Sequence, residues 1–243
     1  TQKILTVTLN GAVKKPGVYS FFEGATLHEI IAEAGGYTNT AYPYGGSLFR
    51  KSVAKIQQET FDKTYSSLIN YLASNSNISS VASSTNLQII LAELKAAKFK
   101  GRLSAEFSQR IVEKDASLDT ILADSDEILI PLFTSDVFVT GDVLNPGGRR
   151  YNSELKPKDY IEQSGGLGRF ADSDRIVVIK PNGDAEVIKA KLFFSYSGST
   201  IYPGSIIYVP REIGKLEGIQ FTATLAPIVS SLALSLASLN SIN

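Results

Sequence analysis

Short stretches in which hydrophobic and polar residues alternate predict β-strands along much of this chain. One such stretch opens at Val7 and ends before Pro16-Gly17. That pair favours a tight reversal, because proline presets φ and glycine accepts φ > 0. Residues 18–22 alternate again, so the sequence predicts a β-hairpin at the start of the chain.

A helical pattern follows the hairpin. Thr26 is placed as an N-cap, and Glu29, three residues later, completes a capping box. Gly35 is placed to end the helix in the left-handed conformation. The apolar stripe, at three- and four-residue spacing, consists of Leu27, Ile30, Ile31 and Ala34. The sequence therefore predicts one short amphipathic helix after the hairpin.

This order of elements recurs 130 residues later in the chain. Residues 7–17 match residues 137–147 without a gap, and Gly35-Gly36 falls on Gly165-Gly166. Agreement at one fixed offset across so many turn-forming residues indicates an internal duplication, whose halves we call the first copy and the second copy.

The second copy supplies the strands that complete the predicted fold. Pro157 occupies the first turn of its helix, which proline tolerates, and Tyr160 and Ile161 are expected to face inward. Strands are predicted at 175–180, 186–189 and 206–209, with a turn at Pro181-Asn182-Gly183-Asp184. Hairpin, helix and further strands is the order of a β-grasp fold. We therefore expect an α+β protein with two tandem β-grasp modules, at 1–131 and 132–212.

The first copy is longer than the second. Residues 126–131 match residues 205–210 at an offset of 79 instead of 130, so the first copy carries 51 extra residues, placed at about 52–116. Apolar residues at helical spacing over 53–72 and 87–99, with a Ser/Asn-rich break between them, predict an inserted helical hairpin.

The end of the chain has a different pattern, because residues 218–243 contain no charged residue. Pro227 suits the first turn of a helix. On a helical wheel the apolar side consists of Leu225, Ile228, Val229, Leu232, Leu236 and Leu239, and the opposite side contains Ser231, Ser235 and Ser238. Residues 213–243 therefore predict a C-terminal amphipathic helix with an uncharged polar face.

Three interpretations of this helix remain open from the residues alone. It packs on the body of the protein, it crosses a membrane singly, or several subunits form a helical barrel. The serines disfavour a single span. In a barrel the leucine face contacts lipid and the serine face lines a water-filled lumen. The segment 227–243 would give a helix of about 25 Å, enough for a thin bilayer, and we favour the barrel.

Composition excludes several kinds of site. Acidic and basic residues balance at 24 each, which gives no general attraction to nucleic acid. The chain has no cysteine, so it has neither disulfides nor Cys-based metal sites, and its single histidine, His28, is a weak basis for a zinc site. Gly165-Gly166-Leu167-Gly168 follows a helix, so we interpret it as a helix C-cap and expect no phosphate loop and no cofactor.

A pattern of Gly-x-Val, Pro-Gly, and Gly-Gly followed by alanine is common to the two copies. It consists of Gly11-Ala12-Val13, Pro16-Gly17, Gly35-Gly36 and Ala41 in the first copy, and of Gly141-Asp142-Val143, Pro146-Gly147, Gly165-Gly166 and Ala171 in the second. With this pattern each copy resembles the SLBB (soluble-ligand-binding β-grasp) module of the outer-membrane polysaccharide export proteins, the group typified by Wza and KpsD. The tail at 221–243 is similar to the C-terminal amphipathic helix of that family.

The resemblance implies a non-enzymatic component of a capsular polysaccharide or exopolysaccharide translocon, in the periplasm and outer membrane of a Gram-negative bacterium. The implied partners are polysaccharide, identical subunits in a homo-oligomeric ring, inner-membrane export machinery, and the outer membrane through the C-terminal helix. The export domain that precedes these modules in the family is absent from this sequence, so we expect a C-terminal fragment or a shortened relative.

Charged residues at the predicted turns are the candidate contacts. Lys14-Lys15 and Arg149-Arg150 flank the two Pro-Gly reversals, where they contact an acidic glycan, contact a neighbouring subunit, or remain solvated. Asp124-Ser125-Asp126-Glu127 and Asp172-Ser173-Asp174 precede predicted strands, where Asp and Ser bond their own backbone, so we expect turn residues and no catalytic ones.

Two other functions remain open. One is a monomeric periplasmic accessory protein of capsule assembly that binds glycan or a partner protein through its β-grasp modules. The other is a polysaccharide-modifying enzyme that uses the acidic turns.

Overall fold

The computed structural model describes residues 3–74, 95, 98–188 and 199–211. Within them, each copy of the duplication forms its own five-stranded mixed sheet. The first sheet lies within residues 4–130 and the second within residues 136–209. The α+β class predicted from the sequence is confirmed.

The elements of the first copy follow one another in the predicted order. They are β1 (Ile4–Gly11), β2 (Gly17–Phe22), α1 (Leu27–Glu33), β3 (Ser47–Phe49), α2 (Lys51–Ser74), β4 (Arg102–Leu103), α3 (Gln109–Val112) and β5 (Asp126–Ile130). Short 3-10 turns at Pro43–Gly45 and Ala116–Leu118 lie in the connections.

The second copy repeats the strands and the first helix. Its elements are β6 (Asp136–Gly141), β7 (Gly147–Arg150), α4 (Pro157–Gln163), β8 (Ile176–Ile179), β9 (Ala185–Ile188) and β10 (Ile206–Val209). A four-residue turn at 181–184 joins β8 to β9.

The two sheets have the same strand order. It is β2-β1-β5-β3-β4 in the first copy and β7-β6-β10-β8-β9 in the second. In each sheet the first and last strands form the parallel central pair, with Leu9 opposite Ile128 and Val139 opposite Ile207, and all other pairs are antiparallel. This arrangement agrees with the predicted β-grasp order and with the predicted duplication.

The core of each copy lies between the sheet and its first helix. Leu27, Ile30 and Ile31 of α1 are buried against the inward residues of β1 and β5, as the apolar stripe predicted. Tyr160 and Ile161 of α4 have the same role in the second copy. Because strands bury every second residue, these cores account for the alternation from which the strands were predicted.

The ends of the helices also agree with the sequence. Thr26 and Glu29 form the predicted capping box on α1, and Pro157 occupies the first turn of α4. After each helix two glycines with positive φ turn the chain, and the second donates its N–H back to the helix, from Gly36 to Ile31 at 2.8 Å and from Gly166 to Ile161 at 2.9 Å. Gly165 and Gly166 are therefore part of a helix C-cap, whereas Gly168 donates its N–H to the Asp142 carbonyl at 2.8 Å.

The extra residues of the first copy lie between β3 and β4. Helix α2 includes the first predicted helix, at 53–72, and its Phe61 is buried with its ring 5.3 Å from that of Phe99. Strand β4 falls inside the segment 52–116 but pairs with β3, so it belongs to the sheet. The second predicted helix, at 87–99, lies largely outside the described residues, and the C-terminal helix at 213–243 lies wholly outside them.

Candidate functional site

The lysine pair is exposed at the tip of the first hairpin. The backbone of Lys14 donates to the Gly36 carbonyl at 3.0 Å, and the carbonyl of Lys15 accepts from the Tyr19 hydroxyl at 2.5 Å. These bonds fix the backbone of the reversal and leave the side chains of Lys14 and Lys15 exposed to solvent.

The arginine pair of the second copy has two different roles. The guanidinium of Arg149 donates to the carbonyls of Asn145 at 2.6 Å, Gly148 at 2.8 Å and Gln163 at 3.3 Å. It therefore ties the β6–β7 reversal to the end of α4 and has few donors left for a ligand. Arg150 is exposed on the opposite face of the same strand.

Arg150 borders an open depression of about 530 Å³, which we call the Arg150 depression. It is lined by Arg150, Tyr151, Asn152, Ser153, Leu155 and Gln163. The depression lies where β7 leads into α4, so one strand, one loop and one helix end contribute residues to it.

The loop of the Arg150 depression is held by hydrogen bonds. The Tyr160 hydroxyl accepts from the Asn152 N–H at 2.9 Å and donates to the Asn152 carbonyl at 3.1 Å. The Asn152 side-chain oxygen accepts from the Glu154 N–H at 2.9 Å. Because Tyr160 is fully buried, its ring anchors this loop to the core.

Sequence reasoning identified Arg150 but missed the rest of the depression. The signal was available in the repeat, because the second copy has Asn152 where the first has Phe22. A departure from the repeat toward polar residues, next to a basic residue, marks a place where the copies differ in surface chemistry.

The two copies contact each other along a seam built around Arg102. Its guanidinium donates to the Gly46 carbonyl of the first copy at 3.1 Å and to the Pro181 carbonyl of the second at 2.9 Å. Burial lowers the pKa of Arg102 to about 10, so it stays protonated at neutral pH. Gly183 leaves room for it, since a Cβ there would lie 2.8 Å from the guanidinium carbon.

Aromatic rings extend the seam. Tyr44 of the first copy lies 4.7 Å from Tyr202 of the second, and Tyr42 lies 5.4 Å from Phe133, ring centre to ring centre. Burial raises the pKa of Tyr42 to about 12, with further contributions from the nearby phenols of Tyr151 and Tyr202. The seam therefore reaches toward the Arg150 depression, which Tyr151 also lines.

The acidic turns are engaged with the fold. Asp126 is fully buried, accepts two hydrogen bonds from Arg50 at 3.0 and 2.8 Å, and raises the pKa of Arg50.

Asp124 accepts the Thr6 N–H at 2.9 Å, a bond that lowers the pKa of Asp124. Asp172 accepts the Asp174 N–H at 3.1 Å and lies 3.4 Å from Arg175. These carboxylates hold turns and strand starts.

His28 joins α1 to the segment before β5. Its Nδ1 lies 3.0 Å from Asp119 Oδ1, and both side chains are 12% exposed. Within the described residues, no three His, Asp or Glu side chains are grouped as a metal site would require. The geometry gives His28 a structural role in the first turn of α1, where it contacts Asp119.

The residues predicted to contact a membrane lie outside the described part of the chain. This applies to the six apolar residues from Leu225 to Leu239 and to Ser231, Ser235 and Ser238. In the part that the structure does describe, no helix combines the length and the apolar character needed to cross a membrane.

Comparison with known protein families matches both copies to one domain type. Residues 6–53 and 137–189 match the SLBB domain, and each match begins in the first strand of a sheet. Each copy is therefore similar to the SLBB domain over the matched residues, which include the hairpin and the first helix of each sheet.

The chain is also similar to two named transport proteins. It is 32% identical over 139 residues to the polysialic acid transport protein KpsD of Escherichia coli, and 32% identical over 137 residues to a second KpsD from the same species. The alignments cover 57% and 56% of this chain but only 25% and 24% of the KpsD proteins, so the chain spans about a quarter of their length. The resemblance to KpsD-type export proteins is confirmed.

Proposed function

We propose that this protein is a non-enzymatic component of a capsular polysaccharide or exopolysaccharide export translocon, in the periplasm and outer membrane of a Gram-negative bacterium. The observation that carries the proposal is the pairing of two matches to the SLBB domain with similarity to KpsD over 139 residues. The protein acts by enclosing a hydrated path for the polymer, so it needs a rigid body and subunit contacts and no bond-breaking groups.

The contacts along the seam between the two copies support the proposal of a rigid body. Arg102 binds carbonyls of both copies, and the Tyr44–Tyr202 contact crosses between the copies at the same place. Charged hydrogen bonds in a buried setting are among the stronger polar contacts, so these contacts would hold the two copies as one block. A ring built from such blocks keeps a fixed diameter.

An exposed apolar patch on the first copy supports a subunit contact. Ile4 and Phe22 are cross-strand partners on the outer face of the β1–β2 hairpin and are 65% and 54% exposed, and Val18 on the same face is 69% exposed. The second copy has Asn152 and Gly148 where the first has Phe22 and Val18. An apolar patch on only one copy suits a head-to-tail ring, in which two different surfaces meet.

The C-terminal segment at 213–243 is proposed to contact the outer membrane and to form the helical pore, and inner-membrane export machinery is the proposed partner at the periplasmic end. The sequence supports this through a leucine face and a serine face without charge. The alternative is a monomeric periplasmic accessory protein that binds glycan, which the solvent-open Arg150 depression favours.

The experiment is native mass spectrometry and electron microscopy of the full chain extracted from membranes in detergent. A ring that loses membrane association when residues 221–243 are deleted is the expected result, whereas a monomer that is unaffected by the deletion supports the accessory protein. Phe22→Asn, which introduces the second copy's residue, should weaken the ring. Val187→Ser, at a 47% exposed position on β9, is the control.

A further inference from the structure

We propose that the end of the second copy from which the C-terminal segment departs rests on a phospholipid surface with anionic headgroups. The residues that make this contact are Leu144, Arg169, Phe170 and Arg211, which we call the Phe170 surface. The inference rests on the proposed function in one respect, since it assumes that residues 213–243 contact a membrane. It adds a second membrane contact, made by the folded body of the protein beside that segment.

The carboxylate of Asp142 holds the Phe170 surface together. Its Oδ2 accepts the Phe170 N–H at 2.8 Å, and its Oδ1 lies 3.6 Å from Arg211 Nε. The guanidinium carbon of Arg169 lies over the Phe170 ring, 5.5 Å from the ring centre, which is a cation–π contact. Leu144 follows Asp142 by two residues, in the reversal between β6 and β7. Two guanidinium groups, an aromatic ring and a leucine are therefore grouped around one anchoring residue.

The apolar residues of this surface are exposed to solvent. Phe170 is 58% exposed and Leu144 is 66% exposed. Contact of such side chains with water is unfavourable, and this cost is removed when they enter the boundary between the headgroups and the acyl chains of a bilayer. These two side chains therefore suit shallow insertion into one leaflet.

The charge that this surface presents to solvent is positive. Arg211 is 75% exposed and Arg169 is also exposed, whereas the side chains of Asp142 and Asp172 are only 12% exposed. Asp172 is further offset by the guanidinium of Arg175, at 3.4 Å. An arginine lays its aliphatic stem along apolar surface and keeps its guanidinium among the headgroups, where anionic lipids attract it. The charge therefore favours anionic over neutral lipids.

The place where the chain leaves the second copy indicates what the Phe170 surface faces. Arg211 pairs in an antiparallel bridge with Ala171, the residue after Phe170. Residues 212–243 follow directly, and from residue 218 onward they contain no charge. A segment that enters a bilayer from this point brings the Phe170 surface to the headgroups, because the two are adjacent both in the chain and in the fold.

The first copy provides an internal comparison. At the offset of 130 it has polar residues at both apolar positions and no cation beside the ring position, with Lys14 for Leu144, Thr40 for Phe170 and Asn39 for Arg169. The first copy continues into the second copy, whereas the second continues into the uncharged segment. The apolar residues thus occur in the copy that precedes the segment proposed to contact the membrane.

The first test is a fluorescence titration of the full chain, whose sequence has no tryptophan. Phe170→Trp places a single reporter on the Phe170 surface, and Ile121→Trp, at a 61% exposed position of the first copy, is the matched control. With vesicles of phosphatidylethanolamine and phosphatidylglycerol, we expect the emission of the Phe170→Trp variant to shift to shorter wavelength and to be quenched by brominated acyl chains. The emission of the Ile121→Trp variant should stay unchanged. Added salt, or phosphatidylcholine in place of phosphatidylglycerol, should reduce the shift because it weakens the attraction of the arginines.

The second test measures how much of the full chain sediments with the same vesicles. Phe170→Thr, which introduces the residue of the first copy, should lower vesicle binding at least about threefold, since the phenyl ring no longer leaves water. Ile121→Thr should leave binding unchanged. Arg169→Asn should make binding less dependent on phosphatidylglycerol, whereas Arg110→Ser, which removes an exposed cation from α3, should not.

The outcomes separate this surface from the C-terminal segment. Equal losses with Phe170→Thr and Ile121→Thr would overturn the inference. A full chain that binds vesicles, and loses this binding when residues 221–243 are deleted, but leaves the emission of the Phe170→Trp variant unchanged, contradicts the Phe170 surface and leaves the proposed function standing. A full chain that does not bind vesicles at all contradicts both.

Discussion

The carbonyl oxygen of Ile130 lies 2.0 Å from the position that a Cβ on Gly11 would occupy. Gly141 and the carbonyl of Val209 repeat this relationship in the second copy, also at 2.0 Å, and the two glycines have φ of +90° and +92°. In each copy the first strand ends here against the last strand, and the next N–H, of Ala12 or Asp142, donates to that same carbonyl at 2.8 Å. The glycine of the Gly-x-Val motif is therefore required by backbone contact.

Substitution of this glycine should be severely destabilising. Gly11→Ala forces both a positive φ on a residue with a side chain and a clash with the central strand, and we expect a loss of about 3 kcal/mol or more in the free energy of unfolding. Urea denaturation followed by circular dichroism measures it. Gly17→Ala is the control, because nothing lies within 4 Å of a Cβ there. Similar losses for the two variants would contradict the backbone argument.

Substitutions of Arg50 and Asp126 should have strongly non-additive effects on the free energy of unfolding. Arg50→Met leaves a carboxylate with no exposed surface unpaired, and we expect a cost of about 3 kcal/mol. In the second copy Ser205 takes the place of Asp126, and its hydroxyl accepts the Tyr202 N–H at 3.0 Å, as Asp126 accepts the Ala123 N–H at 2.9 Å. The double variant Arg50→Met/Asp126→Ser should therefore be more stable than Arg50→Met alone. A double variant that unfolds at a lower urea concentration than Arg50→Met would show that the pair is not replaceable.

Removal of Arg102 should uncouple the two copies. Arg102→Ala deletes the hydrogen bond to Pro181, which crosses the seam, and the one to Gly46 within the first copy, worth about 2 kcal/mol or more together. We expect urea unfolding to change from one transition to two, and proteases to cleave between the domains, near residues 131–135. Arg110→Ala should keep one transition. A single unchanged transition in Arg102→Ala would show that the aromatic contacts suffice.

Alkaline pH should weaken the seam through its tyrosines. Burial raises the pKa of Tyr42 to about 12, and partial burial with a hydrogen bond to Tyr202 raises the pKa of Tyr44. The folded state thus prefers the neutral phenols, so their stabilising effect is complete below pH 10 and is lost as the pH rises toward 12. The measurement is the free energy of unfolding from pH 8 to 12, with tyrosinate absorbance as the second signal. In Tyr42→Phe this free energy should fall less steeply with rising pH. Tyr65→Phe, on α2, is the control.

The repeat was visible in the sequence because turns impose residue types. Gly35 and Gly165 are placed by backbone conformation, because both have a positive φ, so both copies kept them at one spacing. The amphipathic stripes of α1 and α4 were visible for the same reason, since burial repeats with the period of the helix.

Other features left no such signal. Arg102 binds Pro181, 79 positions away in the other copy, and no local pattern marks a contact of that range. Asp126 was expected in a turn, yet it begins β5 and is buried, because Arg50 compensates its charge. Strand β4 has only two residues, too few to show alternation. The Arg150 depression depends on the meeting of a strand, a loop and a helix end, which sequence spacing does not specify.

The pairing of Phe49 with Arg102 has a consequence for how this chain can be remodelled. The link between β3 and β4 spans residues 50–101, whereas residues 180–184 close the equivalent hairpin of the second copy. Lengthening a flexible link about tenfold costs only about 2 kcal/mol in closure entropy, so the sheet tolerates a large excursion at this point. Residues 50–101 could therefore be replaced by a short turn like the one at residues 180–184 of the second copy, while both sheets stay intact.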